Sequence, residues 1–439
     1  MTRAELFADK YTEGLRLLES GQDDAANALF YAAAKEAPEG WLALAIQLVK
    51  DGRHDEAMPR LAEVLELTKH PMVRCSALNQ LGSILAHKGQ LDAAERMFNE
   101  AKALAPNISD IHSNLGLVYQ WRQDYATAGR HLNRALQLDP WHSQAQFVRA
   151  MNHLLAGDYI KGFQEYECRW RSKDNGLKKI VADCPEWNGW NGKRLFVYGE
   201  QGYGDSILML RYAKLIKQRG IWLCWVAQKG LEPILETMPE IDQVLRVGQQ
   251  FTDYDCHIPA VSLPHVFGTE LHTIPPSPYL TKPEPIDYGP GFHVGVVWRG
   301  SKAQINDQIR STALSDWLPV LNVDGVTFHS LQVDSADEAL LYPQLKTYDK
   351  PDTFLDTARR IAGLDLVISV DTSVVHMCGA MGVPCWVALH CRPYFVFPPS
   401  LGAQTPWYSS VKLYRQQKEF QWSDVFNQMA ADLCQKIKS

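Results

Sequence analysis

RLFVYGEQGYGDSILMLRYA, residues 194–213, is the stretch from which the rest of the chain is read. Residues 195–198 form a short buried strand, Gly199, Gly202 and Gly204 make a loop, and a helix opens at Asp205 or Ser206. Glycines let backbone approach a ligand closely, and a helix N-terminus offers unpaired N–H groups at the positive end of its dipole. The spacing is neither G-x-G-x-x-G nor G-x-x-x-x-G-K-S/T, so neither standard nucleotide fingerprint applies. What sets this loop apart is the carboxylate at its tip, Asp205. The same residues also suit a tight strand-to-helix turn in which Asp205 is a plain N-cap.

Around this stretch the pattern is that of an α/β protein. A loop-rich junction, residues 183–192, leads into short apolar strands at 195–198, 222–227, 244–247 and 256–259, with helices near 206–219 and 229–238. Residues 282–291 carry three prolines and two glycines, which deny them helix or strand and mark a linker. A second set follows, with strands at 294–298, 327–331, 366–370 and 385–389 and helices near 315–322, 335–341, 353–363 and 373–381. Two such halves around a linker form a cleft, and open sheets bind ligands at the carboxyl ends of their strands.

The loops at those ends in the second half carry charge. Arg299-Gly-Ser301-Lys302 follows one strand, then Asn306, Asp307, Arg310 and Ser311. Guanidinium groups grip phosphate oxygens bidentately and ammonium adds charge, so Arg299, Lys302 and Arg310 suit a diphosphate; a solvated surface loop has the same composition. After the strand 366–370 come Asp371, Thr372 and Ser373, with Thr372 or Ser373 capping a helix that contains His376. That helix start is a second anion site in the same cleft. His376, one turn in, faces the same anion as Thr372 and Ser373 or is a structural histidine.

The first third is repetitive. Residues 109–140 superpose on residues 75–106 at a 34-residue step, matching Gly82 with Gly116, Ala94 with Ala128, Phe98 with Leu132, Ala101 with Ala135 and Pro106 with Pro140. Gly14, Ala26, Phe30, Ala33 and Pro38 mark an earlier unit, and Ala45, Gly52, Ala57 and Leu61 a weaker one. A fifth keeps Gly157-Asp158-Tyr159 and then decays through residues 166–170. The pattern resembles the tetratricopeptide repeat: small residues where two helices cross, a large apolar residue in the second helix, and a proline after it. Five units imply about ten helices in a short right-handed solenoid whose concave face binds a peptide or partner, or which only packs or dimerises.

Composition narrows the class. With 439 residues, 46% hydrophobic and 21% charged, the chain has material for several domains. A net charge of −6 argues against a general nucleic-acid binder. Nine scattered cysteines without a C-x-x-C pair suit reduced thiols. The first ten residues lack a signal-peptide core and no apolar run reaches membrane-spanning length, so the expected location is the cytoplasm.

Together GEQGYGDSILMLRYAKLIKQRG, VGVVWRGS…ND..RS and DTARRIAGLDLVISVDTSVVHMCGAMGVPCWVAL resemble the heptosyltransferase-like (family 9-like) GT-B glycosyltransferases, in the form fused to tetratricopeptide repeats. The match covers about 190–415, and nearly the whole chain once the repeats are added. The implied fold is α + α/β: an all-α repeat array over 1–170, then a pair of Rossmann-like halves, acceptor-side 171–285 and nucleotide-sugar-side 286–439. The resemblance implies metal-independent, inverting transfer of a sugar from a nucleotide-diphosphate donor to an acceptor hydroxyl. It puts the general base on Asp205, with Gly202 and Gly204 in its loop. It puts diphosphate stabilisation on Arg310, with Lys302 and Arg299 as rivals and Ser301 in the same loop, and donor binding on Asp371, Thr372, Ser373 and His376. True heptosyltransferases have lysine-bearing loops of other lengths and no repeats, so the donor sugar does not carry over.

No cofactor is implied beyond the nucleotide sugar, and no metal: His390-Cys391 and His376-x-Cys378 do not build a tetrahedral site, and no D-x-D follows a donor strand. The expected partners are a nucleotide sugar and a protein or peptide acceptor held by the repeats, with a homodimer possible. The alternative is a catalytically inactive adaptor of the same fold.

Overall fold

The computed structural model describes residues 3–20, 22–34, 38–171, 177, 179–180, 182–249, 253–301, 307–333 and 336–438. It divides into two compact units, Met1–Asn152 and His153–Ser439.

Among its described residues the first unit forms helices and no strand. Its helices pair as Arg3–Glu19 with Asp23–Ala34, Pro38–Lys50 with His54–Leu67, Pro71–His87 with Leu91–Leu104, and Ser109–Trp121 with Tyr125–Leu138. A fifth pair, Ser143–Leu155 and Tyr159–Tyr166, runs across the boundary into the second unit. The small-residue rule has a steric cause. A Cβ on Gly82 would sit 2.7 Å from the Phe98 ring, one on Gly116 2.6 Å from Leu132, and one on Gly14 2.7 Å from Phe30. In the third and fourth pairs the repeat alanines Ala94, Ala101, Ala128 and Ala135 are buried with Phe98 and Leu132. Gly82→Val is therefore expected to cost about 1–3 kcal/mol by overpacking. A urea midpoint for the full chain equal to wild type would show that the helices separate freely.

The second unit holds two sheets, parallel throughout. The strands are β1 Arg194–Tyr198, β2 Trp222–Ala227, β3 Gln243–Arg246, β4 Cys256–Pro259, β5 Phe292–Val297, β6 Val326–Ser330, β7 Leu345–Lys346, β8 Leu366–Val370, β9 Cys385–Leu389 and β10 Val411–Arg415. The first sheet runs β3-β2-β1-β4 and the second β10-β9-β8-β5-β6-β7. Counted from its own first strand, the second sheet has the order 3-2-1-4-5-6 of doubly wound nucleotide-binding folds. Such sheets are covered on both faces, which is why every residue of β8 and β9 is buried and all but Ser369 are apolar. Strand order reverses between β5 and β8 in one sheet and between β1 and β4 in the other. Crevices form at the carboxyl ends there.

The expected elements need some correction. The helix after β1 begins at Tyr203, with Gly202 as N-cap, rather than at Asp205 or Ser206. The run expected at 206–219 is broken into Tyr203–Met209, a 3-10 turn Leu210–Tyr212, and Ala213–Gln218. β7, β10 and the final helix Ser423–Lys436 lie outside the expected set. Residues 282–291 form neither helix nor strand, as their prolines dictate, yet Ile286 N–H donates to Arg359 O at 3.1 Å. Among the described residues no helix is long and apolar enough to cross a membrane.

Candidate functional site

The loop after β1 is fixed from both ends. Gly202 N–H donates to Asp205 Oδ2 at 3.2 Å, so the carboxylate caps its helix from inside the first turn. Ser206 Oγ donates to Gln228 Oε1 at 2.7 Å, and Gln228 Nε2 donates to Gln201 O at 2.6 Å. Gly204 is where the two halves touch: a Cβ there would lie 2.8 Å from His376 Cδ2. The absent side chain lets the helix that carries Asp205 lie directly against the helix Ser373–Met381, which follows β8.

At the β5/β8 crevice the central cation is Arg310. Its Nη1 donates to Asp371 O and its Nη2 to Ser301 O, each at 3.3 Å, while its Nε lies 3.4 Å from Asp307 Oδ1. Asp307 also accepts from Ser311 Oγ at 2.7 Å, and that oxygen accepts from Gly300 N–H at 3.0 Å. Arg310 lies directly over Gly300: a Cβ there would fall 2.3 Å from Arg310 Nη2, so a side chain at 300 would displace the guanidinium. Arg299 is engaged elsewhere, its Nε 3.4 Å from Glu338 Oε2. Lys302 lies outside the described residues. Thr372 occupies the N-cap position of Ser373–Met381, with Oγ1 3.1 Å from Ser369 Oγ, and Ser373 opens the helix.

The carboxylates here are shifted. Asp205 is half-buried by area but densely ringed by protein, and burial pushes its pKa up to about 6. The Asp371 charge adds to the rise, opposed by Gly202 N–H and by the nearby Tyr394 hydroxyl. Burial likewise pushes Asp371 up to about 6, with the Arg310 guanidinium pulling it down. Asp205 from one half and Asp371 with Arg310 from the other thus share one electrostatic neighbourhood.

His376 lies at the contact between the two halves. It is buried, with Nδ1 2.9 Å from the Tyr408 hydroxyl. Burial, helped by Arg211, takes its pKa down to about 3, which favours the neutral ring between the halves.

Several residues of this region went unread in the sequence. Glu200, beside the glycine loop, is ion-paired at 3.0 Å with Arg169 and accepts from Val261 N–H at 3.2 Å. Burial raises Glu200 to about 7 despite that arginine. Arg169 also donates to Ser262 Oγ at 2.7 Å, so this guanidinium fills the β1/β4 crevice. Arg211 is buried among the Tyr279, Trp407 and Tyr408 rings and donates to the carbonyls of Leu208, Pro275 and Trp407, each at 3.0 Å. For Arg169 the signal available was an arginine among aromatics, Tyr166 and Trp170, just where the repeat pattern lapses.

A cavity of about 190 Å³ lies elsewhere, lined by residues of 414–428, and contains none of these groups. The site is defined by its chemistry, not by that concavity. Among the described residues no group of three or more His, Cys, Asp or Glu is placed to hold a metal ion.

Residues 76–108 match the tetratricopeptide repeat family. Protein FlbA of Caulobacter vibrioides is 24% identical over 443 residues, 90% of this chain and 72% of that protein. The bovine BBSome complex member BBS4 is 24% identical over 199 residues, 45% of this chain and 36% of its own length. Among solved structures, a thermophilic TPR protein of Thermus thermophilus aligns with TM-score 0.33 and 22% identity, covering 39% of this chain and 93% of that one. Pseudomonas aeruginosa pilF aligns with TM-score 0.36 and 20% identity, covering 49% of this chain and 87% of that one. The paired helices, their 34-residue step and the family match agree: the N-terminal part of this chain carries tetratricopeptide repeats.

Proposed function

We propose that the second unit is a GT-B glycosyltransferase that moves a sugar, with inversion, from a nucleotide-diphosphate sugar to an acceptor hydroxyl. The acceptor is a protein or peptide presented by the repeats. One observation carries the reading: the helix bearing Asp205 packs through Gly204 against His376 of the helix that follows Asp371, whose carbonyl accepts from Arg310 at the β5/β8 crevice. In the reaction the acceptor oxygen attacks the anomeric carbon, and the bond from that carbon to the diphosphate breaks. The bonding electrons leave with the diphosphate, and Asp205 takes the acceptor proton. A base with a pKa near 6 suits this, being ionised at neutral pH yet still a competent acceptor. Arg310 and the N–H groups opening Ser373–Met381 meet the departing charge. His376 supports the interface as a neutral ring.

A cation-and-helix cradle needs no divalent ion. A nucleoside diphosphate is therefore expected to raise the melting temperature in EDTA, corresponding to about 2.7 kcal/mol at a hundredfold excess over its dissociation constant. Protection that appears only with Mg²⁺ or Mn²⁺ would rule out the cradle. A second reading, an inactive adaptor, draws support from the repeat match and from a relative named as a complex member. It predicts no nucleotide protection and no turnover with any donor.

A further inference from the structure

The two α/β halves of the second unit meet at a buried seam built around one cation. Arg211 lies in the 3-10 turn Leu210–Tyr212, directly after the helix that carries Asp205, and is 2% exposed. Its nitrogens reach three segments of chain: Nε donates to Leu208 O one turn back, Nη1 to Pro275 O before the linker, and Nη2 to Trp407 O in the other half. The ring centroids of Tyr279, Trp407 and Tyr408 lie 4.9, 5.0 and 4.9 Å from the guanidinium carbon. A buried cation is tolerated only while such dipoles and ring faces replace its water. Further contacts cross the same seam. Tyr279 and Leu280 N–H both donate to Ala380 O at 2.9 Å, and the Tyr279 hydroxyl donates to Ile207 O at 2.9 Å. At a second point Phe354 N–H donates to Gly230 O at 2.9 Å, and its ring packs at 4.8 Å on Tyr203, the neighbour of Gly204.

We infer that the two halves stay joined throughout turnover, and that Arg211 is the positioning residue that keeps the Asp205 helix in register with Ser373–Met381. The second part rests on Asp205 being the base of the proposed reaction; the first does not. Swinging the halves apart about the linker would take Trp407 O and the Trp407 and Tyr408 rings from the guanidinium. It would also break the bridge in which Tyr279 holds Ile207 of one half and Ala380 of the other. A charge solvated by groups from both sides therefore resists the hinge motion by which many two-lobed proteins close on their ligands. The register matters because the base and the departing group come from different halves. Asp205 sits in the turn before Arg211, while Arg310 and the start of Ser373–Met381 lie across the seam. A misplacement of about 1 Å between such groups is enough to slow a reaction about a hundredfold. Substrates then meet a site that is already assembled.

Hydrogen exchange of the ligand-free full chain, resolved to single amides, reads the seam directly. The amides of Tyr279, Leu280 and Phe354 are expected to exchange within about tenfold of the β8 amides. Faster exchange in the wild type means that the halves part on their own, and overturns the inference. In Arg211→Met the seam amides should speed up by more than about tenfold relative to β8; no such gain assigns the join to other contacts. ADP, GDP and UDP are then titrated and transfer is assayed. Arg211→Met should lower kcat by about tenfold or more while affinity for the diphosphate that binds stays within about threefold, because the groups that hold it belong to one half. An unchanged kcat, or an affinity that falls with it, removes the positioning role. Arg211→Lys keeps the charge without the three-way fork. It should show the same split in smaller measure, and it decides the matter if the methionine variant does not fold. A protected seam in a protein that binds no diphosphate and turns over no donor upholds the join and removes the transferase reading instead.

Discussion

Replacing Asp205 by asparagine is expected to lower sugar transfer by about 10²–10⁴ while donor affinity stays unchanged. Asparagine keeps the local structure, because its carbonyl oxygen still accepts from Gly202 N–H as Asp205 Oδ2 does at 3.2 Å. What it loses is proton affinity. Stability should move the opposite way. The folded-state pKa is raised from 3.8 to about 6, so folding disfavours the ionised form above pH 6, and the penalty disappears as pH falls and the group is protonated. A shift of that size is worth at most roughly 3 kcal/mol at neutral pH, less whatever solvent reaches the half-buried group. Asp205→Asn is therefore expected to melt higher than wild type at pH 7.5, with the gap narrowing toward pH 5. Loss of transfer together with a higher melting temperature marks a residue kept for function against stability. If the variant keeps more than about a tenth of wild-type turnover where chemistry limits the rate, Asp205 is only a helix cap and the base lies elsewhere.

The sequence made periodic features legible and left convergent ones hidden. The Gly82/Gly116 register reads directly because each glycine answers to a large side chain sixteen residues later, Phe98 or Leu132, within the same repeat. β8 and β9 read correctly because burial on both faces leaves apolar runs broken only by Ser369. β10, with Lys412 exposed in the alternation V-K-L-Y-R, is an edge strand, and its period-2 pattern over five residues gives a weak signal. The helix after β1 opens two residues early because a glycine, with no side chain to cap, takes the extended N-cap conformation while the carboxylate three residues on closes the turn. Asp205, Arg310 and Asp371 were marked by local motif, whereas Glu200, Arg169 and Arg211 were not. Their contacts join segments 31 to 196 positions apart, to which no local spacing points.

Arg310→Ala is expected to reduce kcat/KM by about 10²–10³ and to weaken nucleoside diphosphate binding together with it. The two fall together because the diphosphate is charged before, during and after departure, unlike the acceptor proton, which matters only in the transition state. The geometry further predicts that lysine will not substitute. Arg310 spans Asp371 O and Ser301 O with separate nitrogens over Gly300, and an ammonium cannot reproduce a planar fork that also leaves an edge for phosphate. Arg299→Ala serves as the comparison. Its guanidinium is already beside Glu338, so its loss should cost less than about tenfold. There is also a signature in pH. Arg310 lowers the pKa of Asp371, which burial holds at about 6, so its removal lets Asp371 rise further and remain protonated into the neutral range. The Arg310→Ala deficit should then be accompanied by an acid limb displaced upward, whereas Arg299→Ala leaves the limb in place. A calorimetric titration with nucleoside diphosphate and a rate profile from pH 5 to 9 measure both. Arg310→Ala within about threefold of wild type in each would assign the diphosphate to another cation of the same loop.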